Sequence, residues 1–149
     1  MDLEYEFTFH ATLKDPVPVG AGPYGTRLVI EVTGGRLDGK RLKGKVLTGG
    51  ADWLLVGSDG WGRVDVRGQF LTEDGAAIYA AYTGLLEMNE KVQRALSSGG
   101  STDFGDQYFR TSPRFETGDP RYGWLNHALF VAEGRMLPHA VEYKVYRVT

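Results

Sequence analysis

The sequence predicts an all-β chain closed into an antiparallel barrel of about eight to ten short strands, and three observations carry this. Apolar and polar residues alternate with period two along much of the chain. The 21 glycines sit at turns between such runs rather than in a low-complexity tract. One stretch only, Met88 to Leu96, has convincing helical spacing. A chain of 149 residues suits a single domain with one core, and neither a repeat nor a boundary divides residues 1–149.

Leu3 to Leu13 places Leu3, Tyr5, Phe7, Phe9, Ala11 and Leu13 on one face and polar residues on the other, as a half-buried strand does. A Pro/Gly connector, DPVPVGAGPYG, follows, and Thr26 to Thr33 reads as the next strand because it is rich in β-branched residues. Gly34-Gly35 and Asp38-Gly39 mark turns, with short strands around Leu37 and from Lys43 to Leu47. ADWLLVG is a strand ended by Ser58-Asp59-Gly60. Trp61 to Thr72 alternates, Glu73-Asp74-Gly75 turns it back, and Ala76 to Thr83 is its hairpin partner. In the helix, Met88, Val92, Ala95 and Leu96 form an apolar stripe opposite the pairs Glu87/Lys91 and Glu90/Arg94, and Ser97 to Gly100 ends it. Asp106 to Thr111, Ala128 to Glu133 and Ala140 to Val148 complete the strands.

Tyr108 to Asn126, YFRTSPRFETGDPRYGWLN, is too aromatic for an ordinary surface loop. Asp119-Pro120 starts a short helix, with the aspartate as N-cap and the proline at the first helical position. The segment reads as a lid over the mouth of the barrel.

The net charge of −2 favours neither nucleic acid nor an anionic membrane. The absence of cysteine excludes disulfides, thiolate metal sites and cysteine nucleophiles. No apolar run reaches the ~20 residues of a membrane span, and MDLEYEFTFH is unlike a secretory signal, so the expected location is cytoplasmic.

Gly20 to Gly25 matches G-x-G-x-x-G, but prolines surround it and a β-branched run follows where a nucleotide loop needs a helix, so it is a turn. His10, His127 and His139 share no ligand spacing, and no metal is expected. Asp52 follows a glycine pair and precedes Trp53. It either caps a turn or serves as a pocket acid whose pKa is raised beside an aromatic ring. Asp65 and Arg67 lie on the charged face of their strand, either solvated or turned inward toward Tyr79 and Tyr82. Arg110 and Arg114 either anchor an acidic ligand or pair with Glu116 and Asp119. Tyr122 and Trp124 are two apart, so they diverge and only one enters a cavity.

GGADW (Gly49 to Trp53), VDVRGQF with TEDGAAIY (Val64 to Tyr79), and above all the segment from Tyr108 to Asn126 resemble, in order over nearly the whole chain, the family called domain of unknown function 3237. The resemblance implies a lipocalin-like or allene-oxide-cyclase-like barrel, often dimeric, around a cavity of unassigned purpose. It supplies no catalytic residues. The chain departs from the family at Gly68, where a larger residue is usual; a glycine there enlarges a cavity or marks a bulge.

The leading expectation is a cofactor-independent isomerase, cyclase, lyase or hydratase acting next to a carbonyl of an aromatic or polyketide-like small molecule. Asp52 or Asp65 moves the proton, and Arg67 with the hydroxyls of Tyr79, Tyr82 and Tyr122 stabilises the oxyanion. Tyr82, Arg110, Tyr122, Trp124 and Asn126 bind the substrate. The rivals are a carrier of a hydrophobic ligand, and a structural homodimer without a cavity.

Overall fold

A computed structural model describes residues 1–149. Ten strands and one α-helix follow the chain in order: β1 (Leu3–Leu13), β2 (Val17–Gly22), β3 (Gly25–Gly39), β4 (Lys43–Val46), β5 (Ala51–Val56), β6 (Trp61–Thr72), β7 (Ala77–Glu87), α1 (Glu90–Ser98), β8 (Phe109–Glu116), β9 (Leu129–Leu137) and β10 (Ala140–Val148). A 3-10 segment, Pro120–His127, joins β8 to β9. All pairings are antiparallel. The wall runs β1, β10, β9, β8, β7, β6, then β5 and β4 end to end along β6, then β3, which closes onto β1. No helix is long and apolar enough to cross a membrane.

Alternation dictates the wall. On β6, Val64, Val66 and Phe70 are buried while Arg63, Asp65, Arg67 and Gln69 face water. Gly68 stays in register opposite Ala80, so it marks no bulge, and it lines no part of the interior cavity described below. Helix α1 is capped by Asn89 Oδ1, which accepts from the Val92 amide at 3.0 Å, and ends at Gly99 in the left-handed region.

Three segments differ from expectation. Val17–Gly22, expected as connector, is a strand paired to β3. Gly34-Gly35 does not turn: β3 is one strand of 15 residues, and the glycines let β1 approach closely along its second half. The third difference matters most. Tyr108–Asn126 is not a lid over the mouth; Phe109–Glu116 is wall strand β8, with Phe109, Thr111, Pro113 and Phe115 inward. Pairing of β8 to β9 stops at Thr111, which leaves Pro113 on a local edge where its missing N–H is harmless.

The 3-10 segment fills the gap beyond that edge, at one end of the barrel. Trp124 packs toward Phe130 and lies under the Arg41 guanidinium at 3.5 Å. Phe7, Phe9, Phe70, Phe115 and Phe130 interlock as a solid plug above it, with ring centroids 5.1–6.4 Å apart between neighbours. A bulge between Tyr5 and Phe7 interrupts β1 at Glu6, which accepts from Arg41 (2.7 and 3.0 Å) and Arg147 (2.9 Å) while only 8% exposed. Burial pushes this carboxyl up, but the two guanidiniums outweigh burial and hold it below its usual value of 4.5. A depressed acid contributes stability that is present above the unfolded value and lost as pH falls through the folded one. Glu6→Gln is therefore expected to cost roughly 1–3 kcal/mol at pH 7 in a denaturant titration, with the difference from wild type closing as pH falls below 4.5. A difference that persists unchanged into acid would show that packing, not charge, sets the cost.

Candidate functional site

At the opposite end the interior is hollow. A cavity of about 40 Å³ lies above Phe9, whose ring is 4.9 Å from that of Tyr143 and 6.0 Å from that of Tyr82. Asp52 is the one charged side chain among the 13 residues lining it; the others include Ile30, Leu54, Val66 and Phe109. Strand β5 turns Asp52 and Leu54 inward and Trp53 outward, so the Gly49-Gly50 break before it fixes the parity that buries a carboxylate.

Asp52 Oδ1 accepts from the Asp65 backbone N–H at 3.1 Å across the β5–β6 pair, and Oδ2 has no partner within the chain. Burial lifts the carboxyl from 3.8 to about 7, the Asp65 amide opposes the rise, and the Asp65 charge adds to it. Tyr82 and Tyr143 face the same space, their rings edge to face at 5.3 Å. They are 7% and 2% exposed, and their hydroxyls interact with one another as well as with the Asp52 charge. Burial raises both phenols; at Tyr82 the Asp52 charge adds to the rise and the Tyr143 hydroxyl opposes it, and at Tyr143 both Tyr82 and Asp52 add to it. Both therefore stay protonated and remain hydrogen-bond donors. Gly134 makes room for this: a Cβ there would stand 2.8 Å from Phe109 Cδ2 and 2.9 Å from Tyr143 Cε1.

Of the residues singled out from sequence, the structure brings Asp52 and Tyr82 together in the interior, and Asp65, Arg67 and Tyr79 together along an open groove on the outside. Asp65, Arg67 and Tyr79 face outward on β6 and β7, with Arg67 stacked 5.9 Å from the Trp53 ring. Arg110 also lies outside, 3.9 Å from Glu133 and over Tyr108. Tyr122, Trp124 and Asn126 belong to the plugged end, so neither Tyr122 nor Trp124 enters the cavity. Tyr122 donates to Asp74 at 2.8 Å, and Asn126 brackets Thr117 through bonds of 2.8 and 2.9 Å. Gly20–Gly25 spans the β2–β3 hairpin turn with no helix after it. His127 is exposed and lines neither interior nor mouth, and His10 sits on the outer face 3.5 Å from Glu142. Tyr143 was not singled out, although Val141, Tyr143 and Val145 alternate with Glu142 and Lys144 and so mark an inward face.

The mouth is covered by α1 rather than by the aromatic segment. Outside the inner cavity lies a solvent-facing vestibule of about 300 Å³ between α1, the end of β1 and the β9–β10 turn, where Ser97, Ser98, Lys14, Asp15 and His139 supply polar groups, with Asp15 3.5 Å from His139.

The family model described as protein of unknown function (DUF3237) matches residues 1–148. A UPF0311 protein of Clostridium acetobutylicum is 34% identical over 150 residues, covering 100% of this chain and 95% of the relative. A crystal structure of a conserved protein of unknown function from Rhodopseudomonas palustris superposes with a TM-score of 0.90 at 33% identity, over 99% of this chain and 97% of that one. A structure described as an enzyme from Penicillium herquei shares the fold alone, with a TM-score of 0.72 at 21% identity over 97% and 93% of the two chains.

Proposed function

The chain belongs to the DUF3237 family, and from that premise we propose that its barrel is a cofactor-independent proton-transfer enzyme acting beside a carbonyl of a neutral, largely apolar small molecule. The observation that carries this is Asp52, a carboxylate poised near neutrality in an apolar cavity with two phenol donors facing it. A general base works best when its pKa lies near the operating pH. The free Oδ2 takes a proton from the carbon next to the carbonyl. The C–H pair becomes a C=C bond, and the carbonyl π pair moves onto oxygen. Tyr82 or Tyr143 donates a hydrogen bond to that oxygen as charge develops. The proton then returns from Asp52 to the same carbon or to another, which gives exchange or isomerisation. Cyclisation or elimination would follow from the same enolate.

A second reading has an observation of its own. Twelve of the 13 lining residues are hydrophobic, which suits a carrier that holds its ligand without chemistry. The two readings separate in deuterium oxide. As an enzyme, the protein exchanges the acetyl protons of an aryl methyl ketone faster than buffer, with a rate that climbs as Asp52 ionises near pH 7. A ketone that binds but exchanges no faster than in buffer would leave the carrier reading alone.

A further inference from the structure

The inner cavity is small for the task it is given. About 40 Å³ holds the equivalent of about three water molecules. Pockets that enclose whole organic ligands run to roughly 300–1,000 Å³. Four side chains, Leu13, Ile30, Leu96 and Met136, line both this cavity and the vestibule of about 300 Å³, so the two spaces share one apolar partition. Leu96 comes from α1 and Met136 from β9; the methionine is unbranched and adapts its shape readily.

We infer that the site is a two-chamber one, in which the inner cavity takes only the reacting carbonyl end and the vestibule under α1 holds the remainder of an elongated neutral molecule. This rests on the proton-transfer reading and extends it to the substrate's shape: a flat or narrow apolar middle threads the partition of Leu96 and Met136. A polar far end then meets Ser97, Ser98 and His139, which makes these residues, rather than the barrel wall, the determinants of specificity. Ser97 is exposed on α1, so enlarging it blocks the vestibule without touching the core.

The test uses 2-acetyl-6-(dimethylamino)naphthalene, a neutral aryl methyl ketone whose emission shifts to the blue in apolar surroundings. Wild type is expected to give a saturable blue shift, and Ser97→Trp to weaken that binding by about tenfold or more. Gln93→Trp, also exposed on α1 but outside the vestibule, is expected to match wild type. No saturable shift with wild type would overturn the inference. So would a Ser97→Trp protein that binds as wild type does while Tyr82→Phe binds more weakly; that result would leave the proton-transfer reading standing. Binding that depends on Ser97 without any exchange of the bound ketone's acetyl protons would instead sustain the two chambers and defeat the chemistry.

Discussion

Asp52→Asn is expected to give a protein that melts at a higher temperature than wild type at pH 8 and yet exchanges ketone protons about 10²–10⁴-fold more slowly. Asparagine keeps an Oδ1 to accept the Asp65 amide, so the local geometry survives and only the charge is removed. The sign of the stability change follows from the raised carboxyl. An acid lifted from 3.8 to about 7 holds its proton more tightly folded than unfolded. Its cost to folding is absent below 3.8, grows as pH climbs through that window, and is complete above about 7. At about 1.4 kcal/mol for each tenfold gain in proton affinity, the lift sets an upper limit of about 4 kcal/mol. Partial exposure of Asp52 brings this to about 2 kcal/mol, a gain of roughly 4–8 °C in Tm at pH 8. The gap from wild type should close by pH 4. Melting curves at both pH values, run beside the exchange assay, check both halves. Equal gaps at pH 4 and pH 8 would mean that the carboxylate is not the strained group, and undiminished exchange would remove Asp52 from the chemistry.

Gly35→Ala is expected to be the most disruptive single-methyl change in the fold. A Cβ at Gly35 would stand 1.8 Å from the His10 carbonyl oxygen and 2.8 Å from its carbon, both backbone atoms that cannot rotate away. The backbone there has φ +137, outside what a β-carbon tolerates comfortably. β1 must separate from β3 along the seam that closes the barrel. A loss above about 4 kcal/mol is expected. Hydrogen exchange should show Phe9 to Thr12 losing protection while the β6–β7 pair keeps it. Gly75→Ala, also at positive φ but with no atom within 4 Å of the added carbon, controls for strain alone and should cost only about 1 kcal/mol. Equal losses in the two variants would refute the steric account.

These two positions also show how far the residues alone could be read. The β6 alternation and the α1 stripe are local patterns, so both elements were legible. Gly34-Gly35 read as a turn because the reason for the pair lies on β1, more than twenty residues away in sequence. Two prolines and a crowd of rings read as a lid over Tyr108–Asn126, when Pro113 sits in a wall strand that has lost its neighbour on one side. Asp52 stood out as an acid beside an aromatic ring, and Tyr82 as part of a strand apolar on both faces. Tyr143 carried an equally clear alternation. What periodicity cannot state is which end of a barrel is filled and which is hollow, because that depends on where five rings from four separate strands meet.

That asymmetry between a filled end and a hollow one has a consequence for how such a molecule can diversify. The phenylalanine plug and the Glu6 clasp anchor the architecture far from α1 and the Pro138-His139 corner. Under the two-chamber proposal, mutations at Leu96, Ser97 or His139 would accumulate and retarget recognition while the scaffold's tolerance is drawn from elsewhere. A library randomised at those three codons should yield folded clones at high frequency, with ligand preferences that differ from one clone to the next.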